Sequence, residues 1–170
     1  MSIKKLNRTA LLLALMIVFQ SMRVYLPIPS FVSVYIIGSM VNACLLLAAS
    51  TVGWKAAVVL AATAPVVAYL QQVLPLPVLI LPVAAANLAY VNGYLVLAGQ
   101  NKVLAIGMAT ATKFIIVYFT VIGLIQYLGI TGNVAAMLTM MLGWPQWITG
   151  FCGGAIFFAV RKRLCNFTTR

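Results

Sequence analysis

The feature that most constrains this chain is its division into long apolar runs by short segments rich in proline, glycine and polar residues. A helix needs about 20 apolar residues to cross the hydrocarbon core of a bilayer, and it satisfies its own backbone hydrogen bonds there. Each run of this length is therefore predicted to be a membrane-spanning helix. The first five predicted spans are Thr9–Leu26, Phe31–Thr51, Ala56–Leu74, Val78–Ala98 and Val103–Leu128.

The last apolar stretch, Val134–Val160, is too long for one simple span. Pro145 divides it, and proline is favoured in the first turn of a helix. We therefore predict a short outer helix over Val134–Leu142 and a sixth span over Pro145–Val160, with one kinked helix as the alternative. Residues 1–170 would then form a single all-α domain, an integral membrane bundle of six transmembrane helices plus the short outer helix.

Composition supports a membrane protein. Of the 170 residues, 65% are hydrophobic and 6% are charged, which is more apolar surface than a small soluble domain can bury. Lys4, Lys5 and Arg8 before the first run also fit a signal peptide. No convincing small-residue cleavage site follows, so we expect an uncleaved first span.

The charges indicate an orientation. The chain has 11 Lys and Arg and no Asp, Glu or His. Such a basic chain could bind nucleic acid, but its cations lie at the ends of apolar runs, so no nucleic-acid partner is expected. In a six-span topology most of them share one side, which the positive-inside rule makes cytoplasmic, as are both termini. These residues are Lys4, Lys5, Arg8, Lys55, Lys102, Arg161, Lys162, Arg163 and Arg170.

Lys113 and Arg23 break this pattern. Lys113 lies near the centre of the fifth span, where a cation is costly and often functional, although its long side chain could instead snorkel to the surface. Arg23 lies near the outer end of the first span. It is either an interfacial anchor or a receptor for a carboxylate or phosphate.

Two amides and several aromatic residues are further candidates for a binding site. Asn42 and Asn87 lie mid-span, where a buried amide must bond to another helix or to a ligand. Three aromatic residues near the outer side suit either an interfacial belt or the wall of a ligand pocket: Tyr35, Trp144 and Trp147.

The missing residues exclude several functions. Without His, Asp or Glu the chain lacks the usual groups for acid–base catalysis, and it lacks the usual metal ligands. We expect neither an enzyme nor a cofactor. Proton-driven carriers also rely on intramembrane carboxylates or histidine, so energy for any solute uptake would enter through a partner.

Three motifs resemble the substrate-binding S component of energy-coupling factor (ECF) vitamin transporters. The segment 10–14, with Ala10 and Ala14 on one face, resembles the face that meets the coupling subunit in that family. Segments 41–55 and 144–154 also look like such proteins. The resemblance implies a six-helix protein of the bacterial plasma membrane. It also implies substrate in the outer half under loops, a transmembrane coupling subunit and two ATPase subunits.

A vitamin-binding subunit is the preferred hypothesis, and the alternatives are a self-sufficient facilitator or channel and an assembly subunit. We predict a small, water-soluble, vitamin-like substrate with an acidic group, because the chain has no acid to neutralise Arg23 or Lys113. Arg23 would meet the anion, Asn42 and Asn87 would orient it, and Lys113 would form the pocket floor.

Overall fold

The structure is a computed structural model that describes residues 2–25 and 29–168. These residues form seven α-helices, and no β-strand occurs among them. The helices are α1 (Ile3–Tyr25), α2 (Ser30–Thr51), α3 (Trp54–Leu70), α4 (Ile80–Leu97), α5 (Lys102–Tyr127), α6 (Asn133–Leu142) and α7 (Pro145–Thr168); a 3-10 turn, Pro77–Leu79, precedes α4. Leu26, the predicted end of the first span, and Arg170 lie outside the described residues.

The all-helical fold class is confirmed, and so is the separate helix before Pro145. Within residues 2–25 and 29–168, four helices are long and apolar enough to cross a membrane by length and composition, namely α1, α2, α4 with its 3-10 turn, and α5. Helix α3 is shorter, at 17 residues. It ends at Leu70 rather than at the predicted Leu74, because the chain turns at Gln72, whose φ is +58°.

From α2 onward, short segments connect successive helices, and the helix ends gather at two ends of one bundle. We call the end with Lys5, Lys55, Lys102 and Arg161 the basic end, and the end with α6 and residues 71–79 the distal end. Helix α4 packs along α5, and α2 packs along α7. One apolar core reaches toward the basic end and includes Phe157. A smaller core toward the distal end includes Leu138 of α6.

Glycines on α7 permit close approach of the neighbouring helices. A Cβ atom on Gly153 would lie 2.5 Å from Cβ of Asn42 and 2.8 Å from the backbone oxygen of Ser39. Because the obstacle includes backbone of α2, the two helices could not both keep their positions. The sequence spacing of Gly150 and Gly154 reflects packing within the chain, since Gly150 meets Thr110 and Gly154 meets Ile106, both on α5.

We expect Gly153→Ala to destabilise the fold by about 1–3 kcal/mol, the usual cost of overpacking. Thermal unfolding of the purified protein in detergent measures this. Gly107→Ala is the matched control, because Cβ at Gly107 would have no neighbour within 4 Å. Equal melting temperatures for Gly153→Ala and the native protein would show that α2 and α7 are not closely packed there.

Candidate functional site

A cavity of about 130 Å³ lies between the two cores, in the distal half of the bundle. Every α-helix contributes to its wall. Most of the lining is apolar, from residues such as Val41, Ala64 and Val117. Six polar or charged side chains interrupt that lining: Gln20, Arg23, Asn87, Lys113, Gln146 and Thr149.

Lys113 is held inside the bundle rather than at its surface. Its side chain is only 6% exposed, and its Nζ donates a 2.6 Å hydrogen bond to Oδ1 of Asn42 on α2. The same nitrogen lies 5.4 Å from the centre of the Tyr90 ring, a distance at which a cation is attracted to an aromatic face. The Tyr90 hydroxyl is fixed in turn by donating to the backbone oxygen of Gly150, at 2.7 Å. The Lys113 side chain therefore does not snorkel to the surface in this structure.

Asn42 is the hydrogen-bond partner of Lys113. Because the chain has no Asp or Glu, the sequence alone did not identify a partner for this lysine. It is completely buried and uses its carbonyl oxygen for Lys113, while its Nδ2 has no hydrogen-bond partner among the described residues. An amide oxygen accepts a hydrogen bond without neutralising the lysine. Lys113 therefore keeps a donor capacity and, when protonated, a positive charge at the cavity wall.

Arg23 and Gln20 provide a second polar region on α1. They are three residues apart and so lie on one face of the helix. Gln20 donates through Nε2 to the backbone oxygen of Ala64, at 2.9 Å. Gln20 Oε1 and Arg23 Nε are buried and have no hydrogen-bond partner among the described residues. Buried polar atoms are rarely left unsatisfied, so this wall of the cavity suits a polar ligand.

Asn87 completes the polar lining from α4. It is 2% exposed, and its Nδ2 lies 3.5 Å from the backbone oxygen of Ala61. That is at the outer limit for a hydrogen bond and implies a weak interaction. Asn87 therefore has polar capacity beyond this one long contact.

Helix α6 covers the distal side of the cavity. Met141 and Leu142 line it, and Leu138 belongs to the distal core. The chain enters α6 through Gly129 and Gly132, at φ values of +63° and +69°, which suit glycine because it has no Cβ. The short predicted outer helix thus has a definite place, above the polar cavity.

The structure brings Arg23, Asn87 and Lys113 to one cavity, with Asn42 directly behind Lys113.

The structure does not bring the predicted aromatic residues to this cavity. Trp144 is 70% exposed and lies on an outer groove beside Phe114 and Tyr118. Trp147 packs against Phe114 and Phe151. Neither of them, nor Tyr35, is among the residues that line the cavity.

Gln20, Gln146 and Thr149 were not among the predicted site residues. A signal for them exists in the sequence, because Gln20 and Arg23 are three apart, as are Gln146 and Thr149. Two polar residues three apart in an apolar helix share a face, and that face is expected to turn from lipid toward a partner or a cavity.

Ala10 and Ala14 do not line the cavity and lie on the outer surface of α1. Both are exposed, as are Leu11, Leu15 and Val18 around them. Only 17% of the most apolar part of α1 is buried, against 67% for α2. The alanine face is therefore not used for packing within this chain.

The geometry describes a site for non-covalent binding. No group of three or more His, Cys, Asp or Glu that could hold a metal is found in the described part of the chain. The cavity offers a lysine, an arginine and several amides within apolar walls, a combination that binds and orients a small polar ligand.

A family model described as "ECF transporter, substrate-specific component" matches residues 4–164. No curated protein and no solved structure matches the chain.

Proposed function

Because this chain belongs to the substrate-specific components of ECF transporters, we propose that its distal cavity binds the transported substrate and that this substrate is a small acid. Membership of the family makes the chain a membrane-embedded, substrate-binding subunit of an importer and not an enzyme. Such components work with a transmembrane component and two ATPases. The identity of the substrate and the residues that hold it are the subject of the proposal.

The observation that carries the proposal is the pair of cations on the cavity wall. Lys113 and Arg23 both line the cavity, and the sequence contains no Asp or Glu that could neutralise either. A cation inside the membrane costs free energy unless it is paired. A ligand with a carboxylate or another acidic group would supply the missing charge and form strong, charge-assisted hydrogen bonds.

The remaining polar groups would orient the rest of the ligand. Asn87 and Gln20 present amides on α4 and α1, and most of the remaining lining is apolar. A vitamin-like molecule, with one acidic end and a compact body carrying a few polar atoms, matches that distribution. Asn42 would act as a positioning residue, because it holds Lys113 rather than lining the cavity itself.

The cavity would face the outside of a bacterial cell. The cations at the basic end favour the cytoplasmic side for that end, with both termini inside, and the cavity is in the distal half. Substrate would enter past α6. The present volume of about 130 Å³ is below the roughly 300–1,000 Å³ of typical ligand sites, so α6 would have to move for a larger substrate.

Thermal unfolding with matched ligand pairs tests the proposal. The purified chain would be heated with water-soluble vitamins and related acids, each beside its own neutral amide. At a ligand concentration 100-fold above Kd, a bound acid is expected to stabilise the protein by about 2.7 kcal/mol. The amide should stabilise it much less, because it brings no charge to Lys113 and Arg23. Equal stabilisation by an acid and its amide would contradict the proposed recognition of the anion.

A further inference from the structure

A second concave surface lies at the basic end, outside the substrate cavity. It is a groove of about 880 Å³ between the start of α5 and the end of α7. Its lining combines cationic and apolar side chains, including Lys102, Phe151, Ala155, Phe158, Arg161 and Lys162. None of these residues lines the substrate cavity.

Two of the three cations of the groove, Lys102 and Arg161, are positioned by neutral neighbours. Lys102 Nζ lies 5.9 Å from the centre of the Phe158 ring. Arg161 donates through one terminal nitrogen to the Tyr94 hydroxyl, at 3.3 Å, and its guanidinium carbon lies 5.8 Å from the centre of the Phe157 ring. Since the sequence has no Asp or Glu, no acidic side chain of this chain neutralises the groove.

The apolar floor of the groove extends from these cations toward the bilayer centre. Phe151, Ala155 and Phe158 are spaced four and three residues apart, so they share one face of α7. At about 1.5 Å per residue, Phe151 is roughly 15 Å along the helix from Arg161. The groove therefore has a cationic mouth at one end and an apolar floor along its length.

We propose that this groove binds one anionic phospholipid from the leaflet at the basic end of the bundle. The headgroup phosphate would meet Lys102, Arg161 and Lys162, and an acyl chain would lie over Ala155 toward Phe151. Basic pockets between membrane helices are suited to acidic headgroups, and the cytoplasmic leaflet is rich in such lipids. Charge complementarity favours an anionic lipid over a zwitterionic one, and the apolar floor favours a lipid over a soluble anion.

Native mass spectrometry of the full chain in detergent tests the proposal, with phosphatidylglycerol and phosphatidylcholine of identical acyl chains. Phosphatidylglycerol is expected to bind at least about tenfold more tightly than phosphatidylcholine. The reason is that its headgroup carries a net negative charge, whereas the headgroup of phosphatidylcholine is zwitterionic. The double variant Lys102→Gln, Lys162→Gln should lose about twenty-five-fold in phosphatidylglycerol affinity, at about fivefold for each lysine.

A matched control uses Lys5→Gln with Lys55→Gln. These lysines are at the same end but line a separate depression, so the variant should bind phosphatidylglycerol within about twofold of the native affinity, through weak long-range attraction alone. Ala155→Trp leaves every charge in place and should weaken binding by filling the apolar floor.

Several outcomes would overturn the lipid site. Equal affinity for the two lipids, or equal losses in the test and control lysine variants, would mean that the attraction is diffuse. Full competition by inorganic phosphate would indicate a soluble anion instead. Normal lipid binding combined with lost binding of the transmembrane partner in the Ala155→Trp variant would mean that the groove receives a helix of that partner.

Discussion

Arg23→Gln and Lys113→Met are each expected to lower affinity for the proposed acidic substrate by about tenfold to a hundredfold. Loss of a hydrogen bond to a charged group costs roughly 1.5–3 kcal/mol, which corresponds to that range of affinity. Both side chains line the cavity, and the chain has no carboxylate side chain that competes for them. Calorimetric titration of the purified variants with the substrate measures the loss directly.

A third variant separates the loss of charge recognition from damage to the fold. Asn42→Asp would place a carboxylate beside Lys113 Nζ, where the Asn42 oxygen now lies at 2.6 Å. This internal acid would neutralise Lys113 and repel an anionic ligand. Substrate affinity should fall at least about tenfold, since a charged partner is lost, while the melting temperature stays at or above the native value.

Arg23→Lys serves as the control for Arg23, because it keeps the charge and loses the planar fork of the guanidinium. Its affinity should lie between those of the native protein and Arg23→Gln. Normal substrate binding by Arg23→Gln, Lys113→Met and Asn42→Asp together would mean that neither cation contacts the substrate. Arg23 would then be an interfacial anchor.

Replacement of Ala10 and Ala14 by tryptophan is expected to abolish uptake while leaving substrate binding unchanged. The two small side chains lie on the exposed face of α1, and small residues let another helix approach closely. Two indole rings would keep the transmembrane component of the transporter at a distance. Co-purification of the complex and uptake by cells would report the loss, and calorimetry of the isolated chain would report retained binding.

The paired substitution Ala62→Trp and Ala85→Trp is the control. Both alanines are exposed, on α3 and α4, so the variant adds the same bulk to a different face of the bundle. It should assemble and transport normally. If the Ala10 and Ala14 variant also lost substrate binding, the alanine face would be important for the bundle itself, and the proposed docking role would be wrong.

Much of the helical organisation could be predicted from the sequence, because lipid allows few alternatives. Apolar runs and the prolines and glycines between them place the ends of α2 and α5 within one residue of the structure. The end of α3 was missed because Gln72 adopts a positive φ, which no residue pattern for Gln indicates. The extension of α1 to Ile3 was also missed, since polar residues there remain helical beyond the apolar run.

Part of the cavity could be predicted for an energetic reason. Cations and amides are scarce in apolar helices because each is costly there, so Arg23, Asn87 and Lys113 were conspicuous. The bond between Lys113 and Asn42 joins residues 71 positions apart and depends on how α2 and α5 pack. The predicted aromatic residues do not line the cavity. The sequence could not place them, because an aromatic side chain near a membrane surface suits an interfacial belt as well as a pocket.

Identification of the small molecule that co-purifies with the chain would test the proposed substrate class most directly. The protein would be purified from its native membrane without added ligand, denatured, and the released molecule identified by mass spectrometry. We expect one small molecule with a carboxylate or another acidic group, at up to one molecule per chain, and much less of it from Arg23→Gln. A neutral or cationic molecule, retained equally by both proteins, would contradict recognition of an anion by Arg23 and Lys113.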